Sequence, residues 1–350
     1  MYERTEHVKL KDGEAVECGI VSGPDEAWAQ RLETMLAHKG GLWNWQNSQT
    51  LRTATGLDAR FYLLHRGGEP FANVCIFASG GAGILGHVWT NPQDRRKGAS
   101  GRLMKTAMAD FAGRGGQALF LGTDPDGVPH GIYLQHGFTD VDAAGHMAWY
   151  AQGREAFEQA WFAGGAAEVE RLCWRHWPAA APLFLQPGPG VVRCAPLRVF
   201  WSELIEGPLL PAIQTELKRR TDGQTPAAVV LGSRRTQAVL GLALWQRDPI
   251  WPATCLVDVF CHPEHWGRAG ELLAGLPLPE GQTCVAFGDS TCPAKHAALK
   301  AAGFSAAAVF PKRIATGRGR AERVDVMQWE KQQPQAASEP NQKGNGVSTL

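Results

Sequence analysis

A short basic segment offers the clearest chemistry in this sequence. Arg95-Arg96-Lys97-Gly98-Ala99-Ser100-Gly101 places three adjacent cations beside two glycines. Cations attract an anion, and glycine lets the backbone approach a ligand closely. If a helix begins here, its first N–H groups and the positive end of its dipole face the same anion. The segment therefore predicts a phosphate site, although a solvated basic turn before an ordinary helix fits these seven residues equally well.

The flanking residues predict the elements that would position such a site. Ile84 to Trp89 is rich in β-branched and aromatic residues, which favours a strand, and Asn91-Pro92-Gln93-Asp94 ends it. Apolar residues then recur near helical spacing at Leu103, Ala107 and Phe111. The expected order is strand, turn, basic loop and helix.

A tyrosine downstream is a second candidate for chemistry. Ala118 to Thr123 reads as a strand, and the run from His130 to Phe138 that contains Tyr133 follows after a loop. A phenol can donate a proton while it stays uncharged at neutral pH. Taken alone, Tyr133 is better explained as a helix tyrosine that packs its ring and wets its hydroxyl.

In order, the two segments resemble the acetyl-CoA motif of the GNAT N-acetyltransferase superfamily. That motif is a strand, a proline, Arg/Gln-x-x-Gly-x-Gly/Ala at the start of a helix, and a later Tyr-x-x-x-Gly-Phe. Arg95 takes the Arg/Gln position, Gly98 the first glycine and Tyr133 the tyrosine. Ser100 departs from the pattern, because it stands where the family has Gly or Ala.

The resemblance implies an α+β fold, a mixed and mostly antiparallel sheet flanked by helices, with acetyl-CoA as the acyl-donor cosubstrate. It implies that exposed strand backbone near Trp89 and Thr90 binds the pantetheine arm, and that Tyr133 protonates the departing CoA sulfur. It also implies that a pyrophosphate is bound by the charges and backbone N–H groups of the loop, namely Arg95, Arg96, Lys97, Gly98, Ala99, Ser100 and Gly101.

The general base is harder to assign. Many members of the family use a glutamate on the strand that carries the loop, but Ile84 to Thr90 contains no carboxylate. His87 is the titratable side chain of that strand, and its ordinary pKa near neutrality suits a base. A histidine on the outer face of the sheet is the alternative reading, and His130 and Asp126 are further candidates.

Bulk composition narrows the class of protein. The chain has 350 residues, of which 44% are hydrophobic and 20% charged, and its net charge of +1 gives no electrostatic case for nucleic acid or a membrane surface as partner. Eight cysteines without a Cys-x-x-Cys pair predict free thiols and no metal site. A charged N-terminus and the lack of a long apolar run predict a cytoplasmic protein, which we expect to be a monomer or homodimer.

The length predicts two domains, and the order of elements recurs with a period of about 165 residues. Thr254 to His262 reads as a strand before a proline turn, and Gly303-Phe304 matches Gly137-Phe138. The second copy lacks the Arg-x-x-Gly-x-Gly spacing and has Leu299 in the tyrosine position. We therefore expect an intact GNAT domain over 1–153, a degenerate GNAT-like domain over 154–330 and a disordered tail over 331–350.

Three stretches are poorly patterned. Leu42 to Asp58 carries Trp43 and Trp45 among polar residues, and the resemblance implies a wall of the acceptor pocket there, while simple packing beneath a loop is the alternative. Gln186 to Gly190 reads as a loop. Ser202 to Arg220 reads as helix with a break at Pro211.

The preferred interpretation is an acetyl-CoA-dependent N-acetyltransferase that acts on a primary amine, most simply a small molecule, by direct attack. Two alternatives stay open: a non-catalytic acyl-CoA-binding sensor or scaffold, and an acyltransferase for a peptide or protein amine. Fold analogy does not choose among acceptors.

Overall fold

The computed structural model describes residues 1–333, which form two mixed sheets with helices packed against them. The strands of the first half are β1 (Tyr2–Lys9), β2 (Ala15–Ser22), β3 (Asp58–Arg66), β4 (Glu69–Ser79), β5 (Ala82–Thr90), β6 (Ala118–Gly122), β7 (Thr139–Asp140) and β8 (His146–Tyr150). Its α-helices are α1 (Glu26–Leu36), α2 (Gly41–Arg52), α3 (Ala99–Gly113), α4 (Val128–Gln135) and α5 (Arg154–Trp161).

The second half repeats this alternation of strands and helices. Its strands are β9 (Ala167–Arg171), β10 (Val192–Cys194), β11 (Val199–Phe200), β12 (Ala228–Ser233), β13 (Val239–Arg247), β14 (Thr254–Cys261), β15 (Thr283–Asp289), β16 (Ser305–Ala315) and β17 (Arg323–Gln332). Its α-helices are α6 (His176–Ala179), α7 (Ala181–Leu185), α8 (Glu206–Thr221), α9 (Ala269–Ala274) and α10 (Pro293–Ala301). A 3-10 turn precedes α3 at Pro92–Asp94 and another precedes α9 at Pro263–Arg268.

The two sheets share one topology. The first has the order β1-β2-β3-β4-β5-β6-β8-β7 and the second the order β9-β12-β13-β14-β15-β17-β16, so β2 corresponds to β9 and each later strand to its counterpart. Within residues 1–333, each of these sheets has a single parallel pair, β5–β6 in the first and β14–β15 in the second. The predicted α+β class, with two mixed and mostly antiparallel sheets, is confirmed. The common strand order gives the recurrence seen in the sequence a structural counterpart.

Aromatic side chains join the two halves in a shared core. Phe77 on β4 packs against Trp177 on α6 with ring centroids 5.3 Å apart. Trp45 on α2 stacks on Trp174 at 5.2 Å. Because large rings bury much apolar surface, these contacts fix α6 and the chain after it against the first sheet.

Several local expectations hold and several need correction. β1 and β2 form a hairpin with Gly13 at φ +90° in its turn, and the strand expected from Ile84 is β5. The poorly patterned stretch after Leu42 contains the helix α2. α8 continues through Pro211 without a break, because Leu209, Leu210 and Ile213 around the proline are fully buried.

The end of the chain also differs from the expectation. β17 runs to Gln332, so residues 331 and 332 belong to the second sheet and not to the tail. The remainder of the predicted disordered tail, 334–350, lies outside the described residues. Between residues 1 and 333, no helix has the length and apolar character that a membrane span requires.

Candidate functional site

β5 and β6 pair briefly and then diverge. Ala82 to Ile84 lie opposite Ala118 to Phe120 in parallel register. Beyond them β5 continues to Thr90 and β6 to Gly122, and no pairing joins the two strands over these residues. We call this gap between the carboxyl ends of β5 and β6 the wedge. Strand backbone that leaves a ladder requires other hydrogen-bond partners, so the wedge offers backbone groups to a ligand.

A bulge in β5 shapes one wall of the wedge. The register against β4 shifts between Asn73, which faces Trp89, and Cys75, which faces Gly86, so His87 and Val88 together oppose Val74. His87 adopts φ +52°, an unusual value for a residue other than glycine. The buried Asn73 amide donates to the His87 carbonyl oxygen at 3.1 Å and stabilises this conformation. Bulges of this kind turn side chains away from the regular alternation of a strand.

The basic loop places backbone donors at the end of β5. α3 begins at Ala99, directly after Gly98 in the left-handed conformation at φ +86°. Because Arg102 is the first residue of this region to donate a helical bond, to Gly98 at 3.1 Å, the N–H groups of Ala99, Ser100 and Gly101 have no helical acceptor. The Ser100 hydroxyl lies 3.1 Å from the Thr90 hydroxyl and ties the start of α3 to β5. Such clustered donors fit a pyrophosphate.

The cations of the loop do not all point toward these donors. Lys97 Nζ forms ion pairs with Asp12 at 3.0 Å and with the buried Asp94 at 3.4 Å. Its charge is therefore directed toward the β1–β2 turn, although its backbone N–H belongs to the loop. Hydrogen bonds from Arg66 lower the pKa of Asp94 and keep this network ionised.

The other two arginines remain closer to the wedge. Arg95 Nε donates to the Thr90 carbonyl oxygen at 3.2 Å, and its guanidinium lies 5.0 Å from the centroid of the Trp89 ring. Trp89 also stacks on His38 at 3.9 Å. Arg96 is exposed, adopts φ +65° and forms no ion pair with any residue in the described part of the chain. Arg96 is thus the loop cation with the greatest freedom to meet an anion.

A groove adjoins the loop on the side of β1. It has a volume of about 360 Å³ and is lined by His7 to Lys11 together with Lys97, Gly98 and Arg102. The lining contains more cations than anions, so the groove favours a negatively charged group.

Tyr133 lies on α4, the helix that follows β6 in the chain. Its side chain is 6% exposed, and its ring packs against Phe138 with centroids 5.9 Å apart. Burial and the nearby carboxylate of Glu206 raise the pKa of Tyr133 to about 12. The phenol therefore keeps its proton across the physiological range and is able to donate it.

Glu206, which the sequence did not single out, brings a carboxylate from the second half to the same place. It is the first residue of α8, and its Oε1 lies 3.9 Å from the position that a Cβ on Gly122 would take at the end of β6. Trp177 Nε1 donates to its carbonyl oxygen at 2.8 Å and holds the start of α8 on the shared core. Burial raises the pKa of Glu206 to about 8. In the sequence, an acidic residue in the first turn of a helix is explained by its favourable interaction with the helix dipole. The sequence therefore gave no signal that Glu206 lies near the end of β6.

His87 has a different environment. Its Nε2 lies 2.8 Å from Oε1 of Gln46 on α2, and Trp43 packs beside its ring at 5.5 Å. Burial, with smaller effects of Lys39 and His38, lowers the pKa of His87 to about 3. An imidazole with this pKa is a poor acceptor for an ammonium proton, which weakens the role of general base that its strand position suggested. His130 instead pairs with Asp140 at 2.8 Å.

The buried face of α2, which lies beside His87, carries polar residues. Gln46, Asn47 and Thr50 are each at most 1% exposed. Both polar atoms of the Asn47 amide lack a hydrogen-bond partner among the residues that the structure describes. Buried polar groups are normally satisfied, so this face has the character of a binding surface more than of an apolar core.

The corresponding gap in the second half is filled by the chain itself. β14 and β15 also pair only at their beginnings, from Thr254 to Leu256 opposite Thr283 to Val285. The β10 segment packs against both strands beyond that point: the N–H groups of Val191 and Val192 each donate to Asp289 at 2.7 Å. Lys295 Nζ in turn donates to the Val192 carbonyl oxygen at 2.9 Å. The β10 segment thus lies in the gap between β14 and β15.

The cysteines and the histidines of the second half were the other residues with possible chemistry. Within residues 1–333, all eight cysteines are free thiols, and no group of three or more His, Cys, Asp or Glu side chains is arranged to hold a metal ion. His262 stacks on Phe162 at 4.2 Å, and His296 accepts a hydrogen bond from Trp329 at 3.0 Å.

Comparison with known proteins gives matches at the level of solved structures. A scan of family models and a search of curated proteins give no match. The GNAT domain of S. lividans PAT matches with 13% identity and a TM-score of 0.35, covering 42% of this chain and 96% of that one. A GNAT-family acetyltransferase from Staphylococcus aureus Mu50 matches with 9% identity and a TM-score of 0.33, covering 38% and 98%. PaiA N-acetyltransferase from Thermoplasma acidophilum, solved with coenzyme A, matches with 15% identity and a TM-score of 0.31, covering 37% and 98%.

Proposed function

We propose that this chain is an acetyl-CoA-dependent N-acetyltransferase whose active site is the wedge and whose acceptor is a small primary amine. Three features around the carboxyl ends of β5 and β6 support the proposal. Unpaired strand backbone lies between β5 and β6, backbone N–H donors lie at the start of α3, and the protonated Tyr133 lies beside the end of β6.

The loop supplies the binding of the donor. The N–H groups from Arg96 to Gly101 hold the pyrophosphate, and Arg96 adds charge without an ion pair to break. The cationic groove beside the loop receives a further phosphate group. The β5 backbone near Trp89 and Thr90 meets the pantetheine arm at the bulge. Lys97 acts through its backbone and through the ion pairs that order the loop.

The residues around the wedge supply orientation and proton transfer. Bound acetyl-CoA brings the acetyl group as a reactive thioester. Attack by an amine requires a held donor, an unprotonated nitrogen and a proton for the leaving sulfur. Tyr133 provides that last proton, because its phenol is protonated and buried at the mouth of the wedge.

The packing of the second half over the first sheet favours a small acceptor. α6 and the start of α8 pack over the first sheet, and Trp43 of α2 lies 3.7 Å from the Cβ position of Gly207. Two helices and aromatic rings therefore cover this side of the first sheet, which favours a compact amine over a polypeptide chain as acceptor.

The direct test is thiol release from acetyl-CoA across a panel of primary amines, diamines and N-terminal peptides. We expect release that depends on a small amine and saturates with its concentration. Thiol release with peptides alone would show that the acceptor is a peptide amine and not a small amine. Thermal stabilisation by acetyl-CoA with no release on any amine would identify a sensor or scaffold and overturn the proposed catalysis.

A further inference from the structure

We infer that Glu206, contributed by the second half of the chain, is the general base that deprotonates the acceptor amine in the wedge of the first half. The inference rests on the proposed function and assigns it a catalytic residue. It also gives the second half a chemical role, although the gap of that half is filled by β10.

The position of the carboxylate comes first. At the end of β6, Gly122 has no side chain, and the space beside it is shared by Glu206 Oε1 at 3.9 Å, Leu204 Cδ2 at 3.8 Å and His146 Cδ2 at 3.9 Å from its Cβ position. Leu204 is buried beside it, and the Glu206 carboxylate therefore lies within van der Waals distance of the end of the strand that borders the wedge.

The second observation is that this carboxylate is unpartnered. Across residues 1–333, no group donates a hydrogen bond to the Glu206 carboxylate and no cation forms an ion pair with it. The Trp177 side chain donates only to the backbone carbonyl of Glu206. Its neighbour Glu203 pairs with Arg318 at 3.4 Å. The side chain is half-buried and no cation of the described residues neutralises it, so the carboxylate is free to accept a proton from a ligand.

The environment of Glu206 favours a base that binds a proton tightly. Tyr133 from α4 and His146 from β8 lie near it, and His146 Nδ1 is itself 2.8 Å from Oδ2 of Asp142. None of them pairs with Glu206 in the described structure. Burial raises the pKa of Glu206 to about 8. This value is closer to the pKa of an alkylammonium ion than the pKa of an ordinary carboxyl group is. Matching the two pKa values reduces the free-energy cost of the proton transfer.

The proton balance is as follows. The Glu206 carboxylate takes one proton from the acceptor ammonium and later releases it to solvent. The freed nitrogen lone pair forms the C–N bond to the acetyl carbon, and the C–S bond breaks with its electron pair left on sulfur. Tyr133 gives its proton to that sulfur, and the second proton lost by nitrogen restores the phenol. The sum is ammonium plus thioester giving amide, thiol and one proton.

The test compares two nucleophiles in wild type, Glu206→Gln and Glu206→Asp. One is an alkylamine that is protonated at pH 7.5, and the other is an alkoxyamine that is unprotonated there and needs no base before attack. We expect Glu206→Gln to lower kcat/KM for the alkylamine by about 100-fold or more and for the alkoxyamine by less than about 10-fold, in line with general-base contributions. Glu206→Asp should retain part of the alkylamine activity.

The matched control is Glu203→Gln, which removes a carboxylate three residues away and should leave both rates near those of wild type. In wild type, kcat/KM for the alkylamine should increase with pH as a group with a pKa near 8 loses its proton, and Glu206→Gln should lack this step. If the variant does not fold, the pH profile of the wild type alone tests for such a base. Equal losses for both nucleophiles, or no loss, would overturn the base assignment. No turnover of any amine by wild type would instead refute the proposed function.

Discussion

Burial moves the pKa of three side chains around the wedge, each in the direction that its charge dictates. It raises the pKa of Tyr133 to about 12 and of Glu206 to about 8, because both groups become negative on ionisation. It lowers the pKa of His87 to about 3, because imidazole becomes positive. Groups with pKa values separated in this way can divide the acid and base roles of one reaction, as proton donor and proton acceptor.

Removal of the Tyr133 hydroxyl tests the acid role. Tyr133→Phe keeps the ring that packs against Phe138, so the fold should be retained. We expect kcat to fall by about 100-fold, within the usual range for a lost acid, while acetyl-CoA binding changes by less than about 2-fold. Steady-state kinetics and a binding titration measure the two quantities. A variant with unchanged turnover would remove Tyr133 from the reaction.

The raised pKa of Glu206 also has a consequence for stability. The folded state holds this proton up to about pH 8, whereas the unfolded state releases it near the ordinary value of 4.5. The free energy of unfolding therefore falls as pH rises between these values, and the loss is complete above about pH 8. The proposed base thus reduces the stability of the protein under the conditions in which it works.

Glu206→Gln should relieve that loss. We expect its Tm to approach that of wild type at pH 4.5 and to exceed it at pH 9, since the neutral amide does not ionise. Thermal unfolding across this pH range measures the difference between the two proteins. A difference that stays constant with pH would show that Glu206 ionises normally in the folded state.

At the scale of elements, the loop and α3 form one binding unit. The left-handed Gly98 directs the chain into the helix so that Ala99, Ser100 and Gly101 present their N–H groups together. Gly115, at the other end of α3, has nearly the same conformation at φ +82° and open space around it. The two glycines therefore separate the effect of backbone strain from the effect on ligand binding.

Gly98→Ala and Gly115→Ala should lose similar stability, about 1 kcal/mol each, because alanine disfavours the left-handed region. Only Gly98→Ala should weaken acetyl-CoA binding, which we expect to fall by about 10-fold or more, since the loop must shift where the phosphate is bound. Unfolding and ligand titrations of both variants measure this. Equal binding losses in the two variants would place the phosphate elsewhere.

The sequence predicted those parts of the site that lie within one element or one turn. The strand at Ile84, the loop at Gly98 and the helix of Tyr133 follow from local patterns of β-branched residues, glycine and apolar spacing. The β5 bulge was not predictable, because it depends on the Asn73 amide from a neighbouring strand. The helix α2 was missed for a related reason: its buried face carries Gln46, Asn47 and Thr50, so it lacks an apolar stripe.

At the scale of the whole molecule, the two halves have the same topology but different contents in their gaps. β5 and β6 of the first half stop pairing beyond Ile84, whereas β10 lies in the gap of the second half and bonds to Asp289. Glu206 lies near the end of β6 only because the two halves pack together. No pattern along the chain reports such a contact, so the sequence offered a candidate base only from β5 and the loop after β6.

Asp289→Asn tests the view that the second gap is structural. The amide keeps the volume but replaces an acceptor of the Val191 and Val192 N–H groups by a poorer one. We expect a loss of about 1 to 3 kcal/mol in the free energy of unfolding, with kcat/KM for the amine unchanged below the unfolding temperature. A loss of turnover in a variant that is fully folded would assign the second gap a part in the reaction.

The most direct test of the account is a calorimetric titration of the full chain with acetyl-CoA. One site per chain is predicted, since β5 and β6 diverge without a segment between them in the described structure while β10 lies between their counterparts, and Gly98→Ala should weaken that one site. Two equivalent sites per chain, or no binding at all, would contradict the central claim that the wedge is the acetyl-CoA site of this protein.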